Sequence, residues 1–167
     1  MQIAWSKLTG TPITDEDNAP CGALRAVFIN PENSAVLAFL VAIASAIAPT
    51  DIGKWGDPIK IADKDRLLSP LDILRIKQFG MKRCLLNGKK VVAKSGKCLG
   101  RVQDFTYETE SNRILNITSC RRFLKLEWHH RQFDTSDISE IKVNAIHLKI
   151  DPEQKAPVGK AAQAPTI

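Results

Sequence analysis

The sequence predicts an all-β protein in the main, built as two small units joined by a short helical linker. Three observations predict it. The chain repeats itself: Leu8-Thr9-Gly10 aligns with Leu86-Asn87-Gly88 at an offset of 78, and the alignment runs over 30 positions without a gap. Each copy reads as short apolar stretches separated by polar or glycine-bearing turns, the pattern of small barrels or sandwiches. The stretch between the copies carries helix signals instead.

Within the alignment Gly22 falls on Gly100, Val27 on Phe105, Glu32 on Glu110, and Val36-Leu37 on Ile114-Leu115. Asp51-Ile52 answers Asp137-Ile138 at an offset of 86, so the second copy carries 8 extra residues before its end. In the first copy, residues 15–20 form a turn, and Asn30-Pro31-Glu32-Asn33 has turn chemistry at each position. Residues 35–48 are an apolar run bracketed by Pro31 and Pro49. The run is shorter than the roughly 20 residues a membrane-spanning helix needs. It reads as a buried strand followed by a small-residue connection.

In the linker, Ser69 is the expected N-cap, Pro70 the first helical residue and Gly80 the stop. Leu71 and Leu74, with Ile73 and Ile76, form its expected apolar face, packed between the two units. In the second copy, residues 90–93 read as a strand and residues 94–97 as a turn in which Gly96 supplies the unusual backbone angle. Residues 99–107 alternate until Phe105 and Tyr107 break the pattern, as at a bulge. Residues 108–112 are a polar turn, residues 113–118 the next strand, and residues 138–150 one or two more. The predicted organisation is a first unit over 1–62, a linker over 63–83 and a second unit over 84–150. Residues 151–167, with three prolines among small and polar residues, read as a disordered tail.

Composition excludes a collagen-like or wholly disordered chain: 44% of the 167 residues are hydrophobic and 25% charged. Aromatic residues are sparse at 6%, which argues against an extensive base-stacking surface. Charge is uneven. Residues 1–80 hold 8 Lys/Arg against 9 Asp/Glu, a net of −1, whereas residues 81–167 hold 16 against 9, a net of +7. The second half is therefore the half expected to meet something anionic. The cysteines, Cys21, Cys84, Cys98 and Cys120, stand 63, 14 and 22 positions apart with no C-x-x-C pair, so neither a disulfide framework nor a zinc site is expected. No basic stretch followed by an apolar run opens the chain, and a cytoplasmic location with free thiols is expected.

These residues resemble the PRC-barrel family. Its pattern of a leucine–x–Gly start, a Gly turn, Gly-hydrophobic-x-Asp, an acidic turn, an apolar strand and a closing Asp-Ile is met in the second copy. There it reads Leu86-Asn87-Gly88, Gly96, Gly100-Arg101-Val102-Gln103-Asp104, residues 108–112, Ile114-Leu115 and Asp137-Ile138. The first copy carries Leu8-Thr9-Gly10, Gly22, Asn30 to Asn33, Val36-Leu37 and Asp51-Ile52, but departs at Pro20-Cys21 and at Ala26, where the second has Asp104. The resemblance implies two small, mostly antiparallel PRC-type β-barrels in tandem. Understood members use the barrel as a docking surface. They include a domain of the photosynthetic reaction-centre H subunit and the C-terminal domain of a ribosome-maturation factor. The family offers no common catalytic residues to carry over, and fold alone does not fix function.

No catalytic, metal or cofactor chemistry is expected. His129 and His130 are adjacent, so on a strand they point to opposite faces, and His147 sits in an alternating stretch that turns it to solvent. No phosphate-binding glycine loop occurs. Glu108 and Glu110 lie in a polar turn rather than as an acid–base pair.

The extra residues fall in the segment 119–134, which holds four Lys/Arg, two His and three aromatics. Arg121, Arg122, Lys125, Trp128, His129 and Arg131 are its candidate partner-binding residues, since Trp and Arg dominate binding hot spots. The competing expectation is that Phe123, Leu126, Trp128 and Phe133 fill the core while the cations reach outward. The favoured function is a non-enzymatic adaptor that binds another protein. An RNA- or ribosome-associated factor is the alternative. Peripheral membrane contact has least support, because neither a basic amphipathic helix nor a lipidation motif is present.

Overall fold

The computed structural model of the chain describes residues 1–153. The expected tail lies outside the described residues from position 154 onward. Its first residue is held, because the Asp151 carboxylate accepts the Ser95 amide at 3.0 Å.

The fold is mainly β. In chain order the first repeat comprises β1 (Gln2–Ala4), α1 (Trp5–Leu8), β2 (Pro12–Thr14), β3 (Pro20–Ala23), β4 (Ala26–Ile29), β5 (Val36–Ala42), β6 (Ser45–Ile47), β7 (Ile52–Lys54) and β8 (Ile59–Ile61). The linker contributes α2 (Leu74–Phe79) and α3 (Met81–Cys84). The second repeat comprises β9 (Lys90–Val92), β10 (Cys98–Glu108), β11 (Arg113–Phe123), β12 (Leu126–Asp134), β13 (Ile138–Ile141) and β14 (Ala145–Leu148).

The repeat seen in the sequence is a repeat of topology. The second copy is one sheet in the order β12-β11-β10-β9-β14-β13, with β1 added against β10. The first copy is two sheets, β3-β2-β8-β7 and β4-β5-β6. β3 and β4 occupy the positions that β10 spans without interruption, so joining them gives the same strand order. In both copies the strand after the opening Leu-x-Gly, β2 or β9, pairs in parallel with a late one, Ile13 opposite Ile59 and Val91 opposite Ile146. Both copies also re-enter their last hairpin through a single 3-10 turn, Pro49–Asp51 and Thr135–Asp137.

Glycines fix the matching bends. Gly22 and Gly100 both have positive φ, 131° and 92°, and a Cβ there would lie 2.4 Å from the Val41 carbonyl oxygen and 2.0 Å from that of Cys120. Only a residue without a side chain lets these strands cross so closely.

Among the described residues none of these sheets closes into a ring. In the first copy the ladder breaks between β3 and β4, and the end strands of the second, β12 and β13, do not pair with each other. Closure is replaced by packing between repeats. One apolar cluster runs through both copies, from Trp5, Val27 and Phe39 to Phe105, Tyr107 and Ile146. Trp5 stacks on Phe105 with ring centroids 5.2 Å apart, and Phe39 meets Tyr107 edge-on at 5.2 Å. The lead-in segments are exchanged: β1 pairs with β10 of the other repeat, and Leu85, just before the second repeat, bridges to Phe28 of the first.

The departure at Ala26 has a counterpart in this exchange. Asp104 caps the Phe105 amide at 2.8 Å, and the Val27 amide, which lacks such a neighbour, is met by Asn87 of the other repeat, also at 2.8 Å.

The linker differs from expectation. Ser69 does accept the Leu71 amide, but Pro70–Asp72 form a 3-10 turn, and α2 starts only at Leu74. This break rotates the apolar face. Leu71 and Leu74 are exposed, whereas Ile76 is fully buried. Ile76 and Cys84 pack with Phe28, Ala38 and Ala46, joined by Ile73 and Phe79, so the linker covers the β4-β5-β6 sheet rather than filling a seam between two barrels. The apolar run 35–48 is likewise a hairpin, β5 and β6, whose tip residue Ile43 is exposed. His147, expected in solvent, is half-buried.

Candidate functional site: the long hairpin and its cleft

The eight inserted residues lengthen one hairpin. β11 and β12 run for 11 and 9 residues, against 7 and 3 in their first-repeat counterparts β5 and β6. The extra length projects past the core as an arm that turns at Leu124-Lys125. A register shift lies between the pairs Ser119↔Arg131 and Arg121↔Trp128, so β12 carries one residue more than its partner there. His129 absorbs this bulge with a left-handed backbone, φ 57°. The simple alternation expected for His129 and His130 therefore does not hold.

The core-filling expectation fails for three of its four residues. Phe133 is buried opposite Ile117. Phe123 is 65% exposed and Leu126 68%, and Trp128 is also exposed. Leu124 at the tip is 81% exposed. Phe123, Leu124 and Leu126 thus form a group of neighbouring apolar side chains in solvent at the end of the arm.

Between the arm and the body lies a cleft of about 1140 Å³. Its floor is β10, from Gly100 to Asp104. One wall is formed by Cys120, Arg121, Arg122 and Phe123 of β11, with Glu127, Trp128, His130 and Arg131 of β12. Trp5 and Ser6 of α1 and Lys90 of β9 also line it. The insertion thus brings Arg121, Arg122, Trp128 and Arg131 to one cleft. The candidate residues Lys125 and His129 do not line it.

Most charges in the cleft are spoken for. Arg101 donates to the Gly88 carbonyl at 2.9 Å and Arg121 to the Cys98 carbonyl at 2.7 Å. Arg122 pairs with Glu127 at 2.7 Å, and Glu127 also accepts from Gln103. Asp104 accepts the amides of Ser6 and Phe105 at 3.0 and 2.8 Å. Arg131 differs: it is 7% exposed, and its Nη1, shut off from solvent, has no hydrogen-bond partner among the described residues. Sequence reasoning placed Arg131 among the candidates but could not single it out, because burial of a cation leaves no local signal. Burial pushes the Cys120 thiol up, with Glu127 adding to the effect, so this cysteine is held as the thiol. Among the described residues no group of three metal-ligating side chains gathers.

No family model matches the chain, and no curated protein matches it significantly.

Proposed function

We propose that this chain is a non-enzymatic docking protein made of two tandem PRC-type barrel-like repeats, and that it binds another protein through the β11–β12 arm of the second repeat. The single observation that carries the reading is the exposed apolar tip of that arm, Phe123, Leu124 and Leu126, flanked by Arg121, Arg122 and Lys125. The length of the arm supports it, since β11 and β12 carry these side chains past the core, where a partner can reach them. The matching strand order of the two repeats supports the barrel-like kinship, with closure supplied by the partner repeat. On this reading the protein acts in the cytoplasm, and no helix of the described residues is long and apolar enough to cross a membrane.

The test is affinity capture with the full chain and with the triple variant Phe123→Ser, Leu124→Ser, Leu126→Ser. A protein recovered reproducibly by the first and lost with the second, the variant remaining folded, supports docking. The same set recovered by both overturns it.

A second reading, RNA binding, is favoured by one observation: Lys90, Arg101, Arg121, Arg122 and Arg131 line the same cleft as Trp5 and Trp128. Its mark is affinity that falls steeply as salt rises, through counterion release.

A further inference from the structure

We infer that the cleft beneath the arm holds a carboxylate-binding subsite, built on the guanidinium of Arg131, which receives an acidic side chain of the docked protein. This names the chemistry of the partner and rests on the docking reading above.

An orphaned guanidinium points to it. Arg131 lines the cleft and is 7% exposed, and its Nη1 has no partner among the described residues. Buried guanidinium groups are almost always satisfied, because a desolvated charge without a counterion is costly. Ser119, registered opposite Arg131, is fully buried and outside the cleft lining, so the polar group presented to the cleft at this level of the hairpin is the guanidinium. One anion entering the cleft answers it.

Among the described residues the cleft offers no free anion of its own. Both acids of the cleft are committed, Glu127 to Arg122 and Gln103, and Asp104 to two backbone amides. The other arginines of the cleft have partners, so the unpaired one is also the most enclosed. Carboxylate fits this enclosure better than a nucleic-acid phosphate. A guanidinium accepts a carboxylate in a planar two-point arrangement, and Asp or Glu brings it on a slim, flexible stem. A phosphodiester arrives with a sugar on either side, too bulky for a group of which nine-tenths is shut away.

The experiment titrates the full chain with a hexaglutamate peptide, a hexaglutamine peptide and an oligouridylate, following the Arg131 side-chain resonances by NMR. Wild type is compared with Arg131→Met and Ser119→Ala. The expected result is that hexaglutamate shifts the Arg131 signals and hexaglutamine does not. Arg131→Met weakens hexaglutamate binding roughly tenfold or more, while its Tm stays level or rises because an unpaired buried charge has gone. Ser119→Ala, a change outside the cleft lining, leaves hexaglutamate binding close to wild type. Equal binding of the two peptides, full hexaglutamate affinity in Arg131→Met, or Arg131 signals that answer oligouridylate instead would each overturn the inference.

The two proposals fail separately. Partner capture that needs the tip but not Arg131 sinks the subsite and leaves docking intact. Hexaglutamate binding through Arg131, with capture indifferent to the tip, sinks docking and leaves the subsite.

Discussion

Ser34 and Asn112 hold matching places in the two repeats, and each serves the strand of the other. The Asn112 carbonyl accepts the Val36 amide at 2.7 Å, and the Ser34 carbonyl accepts the Ile114 amide at 3.1 Å. Both residues have left-handed backbones, φ 61° and 53°. The pairs differ by 78 positions in both donor and acceptor, so the seam between the repeats has a local two-fold character. The two copies are complementary parts of one core.

That complementarity predicts one unfolding event. Trp5, Phe39, Phe105 and Tyr107 belong to a single apolar cluster, so neither repeat can lose its packing alone. Urea unfolding followed by far-ultraviolet circular dichroism and by tryptophan fluorescence is expected to give coincident transitions. Two resolved transitions would show that the repeats are independent domains. At the seam itself, Ser34→Val places a β-branched residue at φ 61° and is expected to cost about 1–2 kcal/mol, while Ser34→Gly is close to neutral.

Gly100 makes a sharper local prediction. Gly100→Ala forces a methyl within 2.0 Å of the Cys120 carbonyl oxygen, whereas Gly88→Ala meets nothing within 4 Å and carries only its positive φ. Gly88→Ala is expected to lose about 1 kcal/mol and Gly100→Ala at least twice that. Equal losses in chemical denaturation would contradict the close crossing of β10 and β11.

Tyr107 is the only tyrosine in the chain, so its titration can be read directly from absorbance. Burial pushes the phenol up to about 12, and its hydroxyl donates to Asn112 at 2.6 Å. A folded pKa raised above the unfolded value of 10.0 favours the neutral phenol in the fold. The stability it contributes is full below pH 10 and is lost as pH rises from there through about 12. Holding the phenol this far above its ordinary value corresponds to about 3 kcal/mol. Tyrosinate absorbance is expected near pH 12 where circular dichroism is retained, and at lower pH only together with its loss. Ionisation near pH 10 with the fold intact would show the ring to be open to solvent.

Burial along the arm separates contact residues from core residues. Phe133→Ala is expected to cost about 3–5 kcal/mol, as deletion of a buried aromatic does, because Phe133 is 3% exposed in the main cluster. Leu124→Ala is expected to stay within about 0.5 kcal/mol of wild type. In the linker, Ile76→Ala is expected to lose about 2–5 kcal/mol and Leu74→Ala almost nothing.

The repeat was legible because it is written in backbone constraints. Gly22 and Gly100 are held by sterics, and the turns at Ser34 and Asn112 follow polar runs of matching length. The succession of short strands and turns along the chain followed from spacing, whereas the order of strands within the sheets did not. The linker face was not legible, because the 3-10 turn at Pro70–Asp72 shifts the helical phase and no residue type announces that shift. The exposed tip was read in part as core because Phe123 and Leu126 have the composition of a buried strand, and only the overhang of the arm leaves them in solvent. The exchange of lead-in segments, and the isolation of Arg131, depend on which distant residues meet, and a single local stretch carries no trace of either.

Docking through the arm is the central claim, and site-directed photo-crosslinking in cells tests it most directly. A photoreactive side chain is placed at position 124, at the tip of the second repeat's hairpin, or at position 43, at the exposed tip of the equivalent hairpin in the first repeat. Adducts are identified by mass spectrometry. Protein adducts from position 124 that are absent from position 43, and lost when Phe123 and Leu126 become serine, are the predicted result. Equal adducts from both tips, or adducts to RNA alone, would contradict it.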